Sequence, residues 1–275
     1  MQEPAADVAT EFADPLTMRV ACLMIGVPED HAPDLVEAVI AMDPLICGLA
    51  DRAEMDAGAS AALALGVRLS GYLNGTPPPD SILSTLKSAI ADGALCAEAA
   101  VGILLQLVTA GTETTATLIG HAVRQLADDH GMQHQLRGHP DAVPEFLEDV
   151  LRDDGPFQFH YRTTRPGATL GGTPLPAGSL VLLMWASANQ NAAARPAAPL
   201  PADRPTPAAP APHLAFGRGI HFCIGAHLAR MEAAVAVQGL LRRTSGFVRA
   251  PRRPATSRAS LMMPRPSLSI RWHPA

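Results

Sequence analysis

Apolar residues recur at helical spacing over most of the chain, and that periodicity predicts its elements. Between residues 7 and 25, Val8, Phe12, Leu16, Val20, Leu23 and Met24 stand near three or four apart, which predicts a helix. Pro15 falls inside this run. Because proline is tolerated at a first helical position, a division is expected there, with Asp14 as cap. Gly26-Val27-Pro28 ends the segment. Helices are predicted over residues 29–42 and 53–73, the second presenting Leu63, Val67, Ser70 and Tyr72 as its apolar face. Gly75-Thr76-Pro77-Pro78-Pro79 is a break, and a short helix with Leu83, Leu86 and Ile90 follows.

The longest helix is predicted from 95 to about 126, where Leu95, Ala99, Ile103, Leu107, Leu118, Ala122 and Leu126 recur. Such a helix spans ~45 Å, enough to cross a whole domain. Its middle reads Ala110-Gly111-Thr112-Glu113-Thr114-Thr115. Glycine and threonine cost ~0.5–1 kcal/mol each relative to alanine in a helix, so a local bulge is expected. Glu113 and Thr114 are adjacent and cannot share a face. Either they flank an opened groove, where a carboxylate and a hydroxyl relay protons inward, or they face solvent.

Residues 141–152 form a further predicted helix, with Asp141 as cap, Pro144 in the first turn, and Glu148, Asp149 and Arg152 along it. Thr169-Leu170, residues 173–175 and residues 179–186, separated by Gly171-Gly172 and Pro176-Ala177-Gly178, read as a small antiparallel sheet. The apolar run 181–185 is expected to be a strand buried on both faces. Residues 189–212 are rich in proline and alanine and read as irregular. Leu268, Ile270 and Trp272 alternate, which predicts a C-terminal strand. The class expected is mainly α with small antiparallel β-sheets, and 275 residues suffice for one large domain or two small ones.

Composition narrows the function. The 275 residues carry 26 acidic and 21 basic side chains, a net charge of −5, and give no electrostatic case for nucleic acid. Eight arginines and no acid occupy the last 34 residues, either a solvated face or a place for a redox partner to dock. Cys22, Cys47, Cys96 and Cys223 lack paired spacing, so neither a disulfide framework nor a zinc site is expected. The start, M-Q-E-P-A-A-D, is not a leader, and no apolar run reaches the ~18–20 residues of a membrane span. A soluble, cytoplasmic protein with no membrane partner is expected.

The chemistry concentrates in residues 216–230, F-G-R-G-I-H-F-C-I-G-A-H-L-A-R. Gly217, Gly219 and Gly225 surround Cys223, and the periodic run Leu228, Ala229, Ala233, Ala236 and Val237 follows. A thiol in a glycine-rich turn at a helix start is favoured as thiolate and suited to ligating a metal or haem iron. A lone cysteine is otherwise a small buried hydrophobe.

The pattern F-G-x-G-x-H-x-C-x-G-x-x-L-A-R resembles the haem-ligand loop of the cytochrome P-450 family. A-G-T-E-T-T, about 110 residues earlier, resembles the oxygen-binding turn of that family's long helix. The resemblance, to the bacterial soluble type, implies haem b (iron protoporphyrin IX) as cofactor and Cys223 as the proximal iron ligand. It implies that Ala110 and Gly111 leave room for oxygen, that Glu113 and Thr114 deliver protons, and that Arg162 and His221 hold propionates. Phe216 would pack beside the sulfur, with Gly217, Gly219 and Gly225 shaping the cofactor loop. The family's Glu-x-x-Arg brace is represented by Asp149 and Arg152, one methylene shorter, with Glu148 one residue out of register; Asp203-Arg204 resembles part of the meander, with Arg204 joining the brace. The activity implied is monooxygenation of a small organic substrate, with electrons from a ferredoxin and its reductase. Met1 falls inside the family fold, so an N-terminally shortened member, lacking the opening helices and strands, is expected. Asp149, Pro205 and the missing opening leave a second reading open, a degenerate haem-binding remnant or scaffold.

Overall fold

The computed structural model describes residues 4–45, 50–191, 212–251 and 268–275. Cys47, Asp203, Arg204, Pro205, most of the Pro/Ala-rich stretch and the arginines between 252 and 267 lie outside the described residues. The helices are α1 (Asp14–Ile25), α2 (Ala32–Ile40), α3 (Arg52–Asn74), α4 (Ile82–Ala91), α5 (Ala97–Asp128), α6 (His130–Gly138), α7 (Val143–Asp154), α8 (Trp185–Asn189) and α9 (Ala226–Arg243). The strands are β1 (Ala5–Asp7), β2 (His160–Thr163), β3 (Thr169–Leu170), β4 (Thr173–Pro174), β5 (Leu180–Leu183), β6 (Thr244–Arg249) and β7 (Ser269–Pro274). They pair antiparallel as β1-β7-β6, β2-β5 and β3-β4. The class is mainly α with small antiparallel sheets, as the periodicity predicts.

The 32 residues of α5 run through two cores. Its N-terminal half contributes Leu104 and Val108 to a core with Met18 and Ile25 of α1, Leu35 of α2, Leu69 of α3 and Leu83 of α4. Its C-terminal half sends Ile119, Val123 and Leu126 into a second core with Leu147 and Val150 of α7, Val237 of α9 and Phe247 of β6. The alternation of Leu268, Ile270 and Trp272 is that of β7, whose Leu268 and Ile270 ends are buried. Its two partners carry no such signal: β1 is three residues long and lies just ahead of the predicted first helix, and β6 directly follows α9. No helix among the described residues is long and apolar enough to cross a membrane.

Several local expectations are corrected. A new helix does start at Asp14, as expected, but no break in helical backbone precedes it. A π-helical turn, Ala9–Ala13, runs directly into α1, where Pro15 sits in the first turn and needs no N–H bond. Asp14 has helical backbone angles and is buried, so it is no cap. Similarly, a 3-10 turn at Pro140–Ala142 precedes α7 and places Ala142, not Asp141, at the cap.

The apolar face of α3 is not the one expected. The helix opens with a capping box, Asp51 accepting from Glu54 N–H at 2.9 Å and Glu54 accepting from Asp51 N–H at 2.8 Å. It buries Leu65, Leu69 and Leu73, while Leu63 and Val67 are 74% and 76% exposed. Two residues turn a helix by about 200°, so the two stripes lie on nearly opposite sides. The three leucines make the longer stripe and take the core.

No bulge interrupts α5 at its threonines. The Thr112, Thr114 and Thr117 hydroxyls donate to the Val108, Ala110 and Glu113 carbonyls at 2.7, 2.8 and 2.8 Å. Each hydroxyl finds its acceptor one turn back, and the ladder stays closed. Finally, the run 181–185 is not a strand buried on both faces. β5 stops at Leu183, Trp185 starts α8, and Leu180 is exposed, because a two-stranded ribbon has no second layer.

Two predictions follow from packing. Leu69→Ala should lower unfolding free energy by about 2–5 kcal/mol in denaturant titrations, while Leu63→Ala should change it by less than about 0.5 kcal/mol. Equal effects would reverse the assignment of the α3 faces. Glu232 of α9 is buried, its Oε2 has no hydrogen-bond partner, and burial pushes its carboxyl up to about 7. The folded chain therefore binds a proton that the unfolded chain releases at the ordinary carboxylate pKa. Stability should fall as pH rises from the ordinary carboxylate pKa through about 7, by at most roughly 3 kcal/mol before solvent screening. Glu232→Gln should remove that slope, as measured by denaturation midpoints at pH 5 and pH 8; a retained slope would assign it to another group.

Candidate functional site

One cavity of about 1090 Å³ lies between α5, the β2–β5 ribbon and the loop that enters α9. From α5 come Gln106, Ala110, Gly111 and Thr114, at the three- and four-residue spacings of one helix face. The alanine and glycine leave this wall low. A Cβ built on Gly111 meets nothing within 4 Å, so the space beside the helix is open. The ribbon side supplies Phe157, His160, Arg162, Met184 and Trp185. Phe157 meets Trp185 edge-on at 6.4 Å, and His160 lies 6.0 Å from the same indole, which gives this wall an aromatic corner.

The third wall is the cysteine loop. Gly217 and Gly219 have φ of 69° and 77°, a region that side chains with a Cβ rarely adopt. Between them the chain turns into a short 3-10 segment, Gly219–His221, and Phe222 N–H closes on Gly219 O at 3.0 Å. Cys223 N–H donates to Phe216 O at 3.0 Å, which ties the cysteine to the start of the loop. Helix α9 begins three residues later with Gly225 at its cap, and a Cβ there would stand 3.9 Å from Cys223 Sγ. Cys223 is half-buried and not in a disulfide.

Most of the residues singled out in the sequence meet at this cavity. Ala110, Gly111 and Thr114 face it across from Phe216, Gly217, His221, Cys223 and Gly225, and Arg162 joins from β2. Gly219 shapes the loop without lining the cavity. Glu113 is buried away from it, beside a separate small pocket with Asp14, Met18 and Val39. The pair Glu113 and Thr114 thus faces two sides of an intact helix, and the expected shared groove is not present. Asp149 and Arg152 pair within α7, and Arg152 Nε also lies 3.5 Å from Asp153. Arg204 falls outside the described residues.

Several groups at the site carry no signal in the sequence. Arg218 lines the cavity as a second guanidinium beside Arg162, and nothing in its loop position distinguishes it from a surface arginine. Phe157, His160 and Trp185 converge only through the ribbon. Glu148, one residue out of register with the expected brace, is the most heavily engaged acid. It accepts from Arg230 Nε at 2.6 Å, from Arg230 Nη2 at 2.9 Å and from His213 Nε2 at 3.1 Å. Burial pushes its carboxyl up, but the hydrogen bonds from Arg230 and then His213 outweigh it and hold the carboxyl at about 2. Its partners stand 65 and 82 residues away, beyond any periodicity.

Among the described residues no group of three or more His, Cys, Asp and Glu could hold a metal ion. The cavity offers mostly apolar walls, one thiol at Cys223, and basic side chains at Arg162, Arg218 and His221.

The Cytochrome P450 family matches residues 146–272. Cytochrome P450 144 of Mycobacterium tuberculosis is 37% identical over 252 residues, which cover 89% of this chain and 56% of that protein. Cytochrome P450 109 of Bacillus spizizenii is 34% identical, covering 87% of this chain and 60% of that protein. The chain thus spans little more than half the length of these relatives. Among solved structures, the open cytochrome P450 Eryk from S. erythraea superposes with a TM-score of 0.84 at 26% identity, over 98% of this chain and 70% of that one. The cytochrome P450 enzyme CxnD superposes with a TM-score of 0.83 at 28% identity, over 100% of this chain and 68% of that one. Through the family match, the shared fold and these relatives, this chain belongs to the cytochrome P450 family.

Proposed function

We propose that the chain is a haem-thiolate monooxygenase that inserts one atom of O2 into a small organic substrate. The observation that carries this is Cys223, placed on the wall of a large cavity facing Ala110, Gly111 and Thr114. The donor set fits haem b (iron protoporphyrin IX): one thiol, mostly apolar walls, and basic side chains at Arg162, Arg218 and His221 for two propionates. When bound, the haem supplies the oxygen activation and one-electron chemistry that side chains lack.

The protein's own groups then position and protonate. Cys223 ligates as thiolate, and its backbone bond to Phe216 O fixes the approach of the sulfur. Ala110 and Gly111 keep the opposite wall clear. Thr114 offers its Oγ1 proton on the cavity side by turning away from Ala110 O, whereas Glu113, buried on the other flank of α5, does not line the cavity. Gly217, Gly219 and Gly225 shape the cysteine loop, and Asp149 pairs with Arg152 within α7. Electrons come from a ferredoxin and its reductase, since the chain carries no flavin or nicotinamide fingerprint. The described part works as one domain, in the cytoplasm, without nucleic acid or membrane; the net charge of −5 supports the first of these exclusions.

The deciding experiment is the absorption spectrum of the reduced, carbon-monoxide-bound chain after haem addition. A strongly red-shifted Soret band, lost in Cys223→Ala, is expected. A band at the position of neutral or histidine-ligated haem, or no haem uptake, would favour the degenerate remnant instead. In active preparations Thr114→Ala should lower product formed per O2 consumed by roughly tenfold or more, the low end of general acid–base effects being larger still. Unchanged coupling would remove Thr114 from proton delivery.

A further inference from the structure

Phe216 sits at the base of the cysteine loop between two other side chains. The Arg230 guanidinium lies over its ring, 4.4 Å from the centroid, and the His213 ring is 5.9 Å away on a tilted plane. Both neighbours are held by one carboxylate, that of Glu148. Arg230 binds it with two nitrogens, so the guanidinium plane has a fixed orientation over the ring. His213 Nδ1 accepts from Ala215 N–H at 3.1 Å, which leaves Nε2 as the donor to Glu148.

The connections continue to the sulfur. Phe216 supplies the carbonyl that receives Cys223 N–H, and Gly217 N–H bonds Leu214 O at 2.8 Å. Leu214 N–H is in turn held by Asn189 Oδ1 at 2.7 Å. The chain thus enters the loop at His213 and leaves it at Arg230, and both ends meet the same carboxylate. Asp149 cannot do this, since its partner Arg152 lies on the same helix. The Glu148 and His213 side chains are only 13% and 5% exposed, so water offers little substitute for a lost partner.

We propose that Glu148 is a positioning residue for Cys223. Through Arg230 and His213 it clamps Phe216, and Phe216 O sets where the cysteine backbone, and therefore its sulfur, is held. The clamp rests on the haem-thiolate reading for its consequence at the metal, but not for its effect on the loop, and two readouts separate the two.

In the haem-free full chain, amide hydrogen exchange of the segment 214–225 should quicken by about tenfold or more in Glu148→Gln, the amide group opposing the donors that the carboxylate accepts. Exchange in α5 should stay as in the unaltered chain. Glu148→Asp, which keeps the charge, should fall between the two. Arg230→Lys keeps the buried carboxylate paired and so guards against simple misfolding; it should loosen the same segment through loss of the two-point grip. In the haem-loaded, reduced, carbon-monoxide-bound proteins, Glu148→Gln and Arg230→Lys should shift the ratio of thiolate-type to neutral-thiol-type Soret bands by about tenfold toward the latter. A purely structural Glu148 would lower the melting temperature and speed exchange throughout, with the band ratio unchanged well below melting; that result overturns the proposal. Unaltered loop exchange in both variants also overturns it. Loosened exchange with no thiolate band even in the unaltered chain would sustain the clamp and sink the haem-thiolate reading.

Discussion

One helix has to belong to two cores and still leave room beside it for a cavity. α5 buries Leu104 and Val108 in one cluster and Ile119, Val123 and Leu126 in the other. Between them, on the remaining stripe, it can carry only small side chains. Ala110 and Gly111 meet that requirement, but glycine and three threonines weaken the helix at its centre. Packing at both ends holds the centre in helical register, and the threonine hydroxyls bond within the preceding turn instead of opening it. The other elements of the site are placed by reference to this helix. α7 and α9 pack on its C-terminal half, and the cysteine loop is carried on the N-terminus of α9.

Much of this architecture was legible because the relevant signals are local. The 95–126 periodicity marks α5 to within two residues at each end. The glycines that flank Cys223 announce a tight turn, and two of them do adopt positive φ. The failures share a different origin. Alanine-rich α3 carries two apolar stripes, and only the presence of α2 and α5 decides between Leu63 and Leu65. β1 has three residues, too few for any pattern, and exists because β7 offers it an edge. Propensity predicted a bulge among the threonines, and tertiary packing overrode it.

The same division holds at the site. Residue types with a chemical signature were found in the sequence, and Cys223, Thr114, Arg162 and His221 do line one cavity. Ion pairs between distant segments were not, because charge has no periodicity to follow. Glu148 stood next to the acid expected to matter and was set aside, yet it gathers Arg230 and His213 from the far side of the loop. Direction was equally hidden. Glu113 and Thr114 are neighbours in sequence, and only the fold shows which one looks into the cavity.

The cavity walls differ in how firmly they are held. Thr114 stands on a helix anchored in hydrophobic packing at both ends, whereas Arg162 and its neighbours stand on a two-stranded ribbon whose β2 residues are all exposed. A two-stranded ribbon is marginal on its own in water. Compliance is therefore concentrated on one side: the ribbon and its aromatic corner form the yielding wall of the cavity, and α5 forms the rigid one.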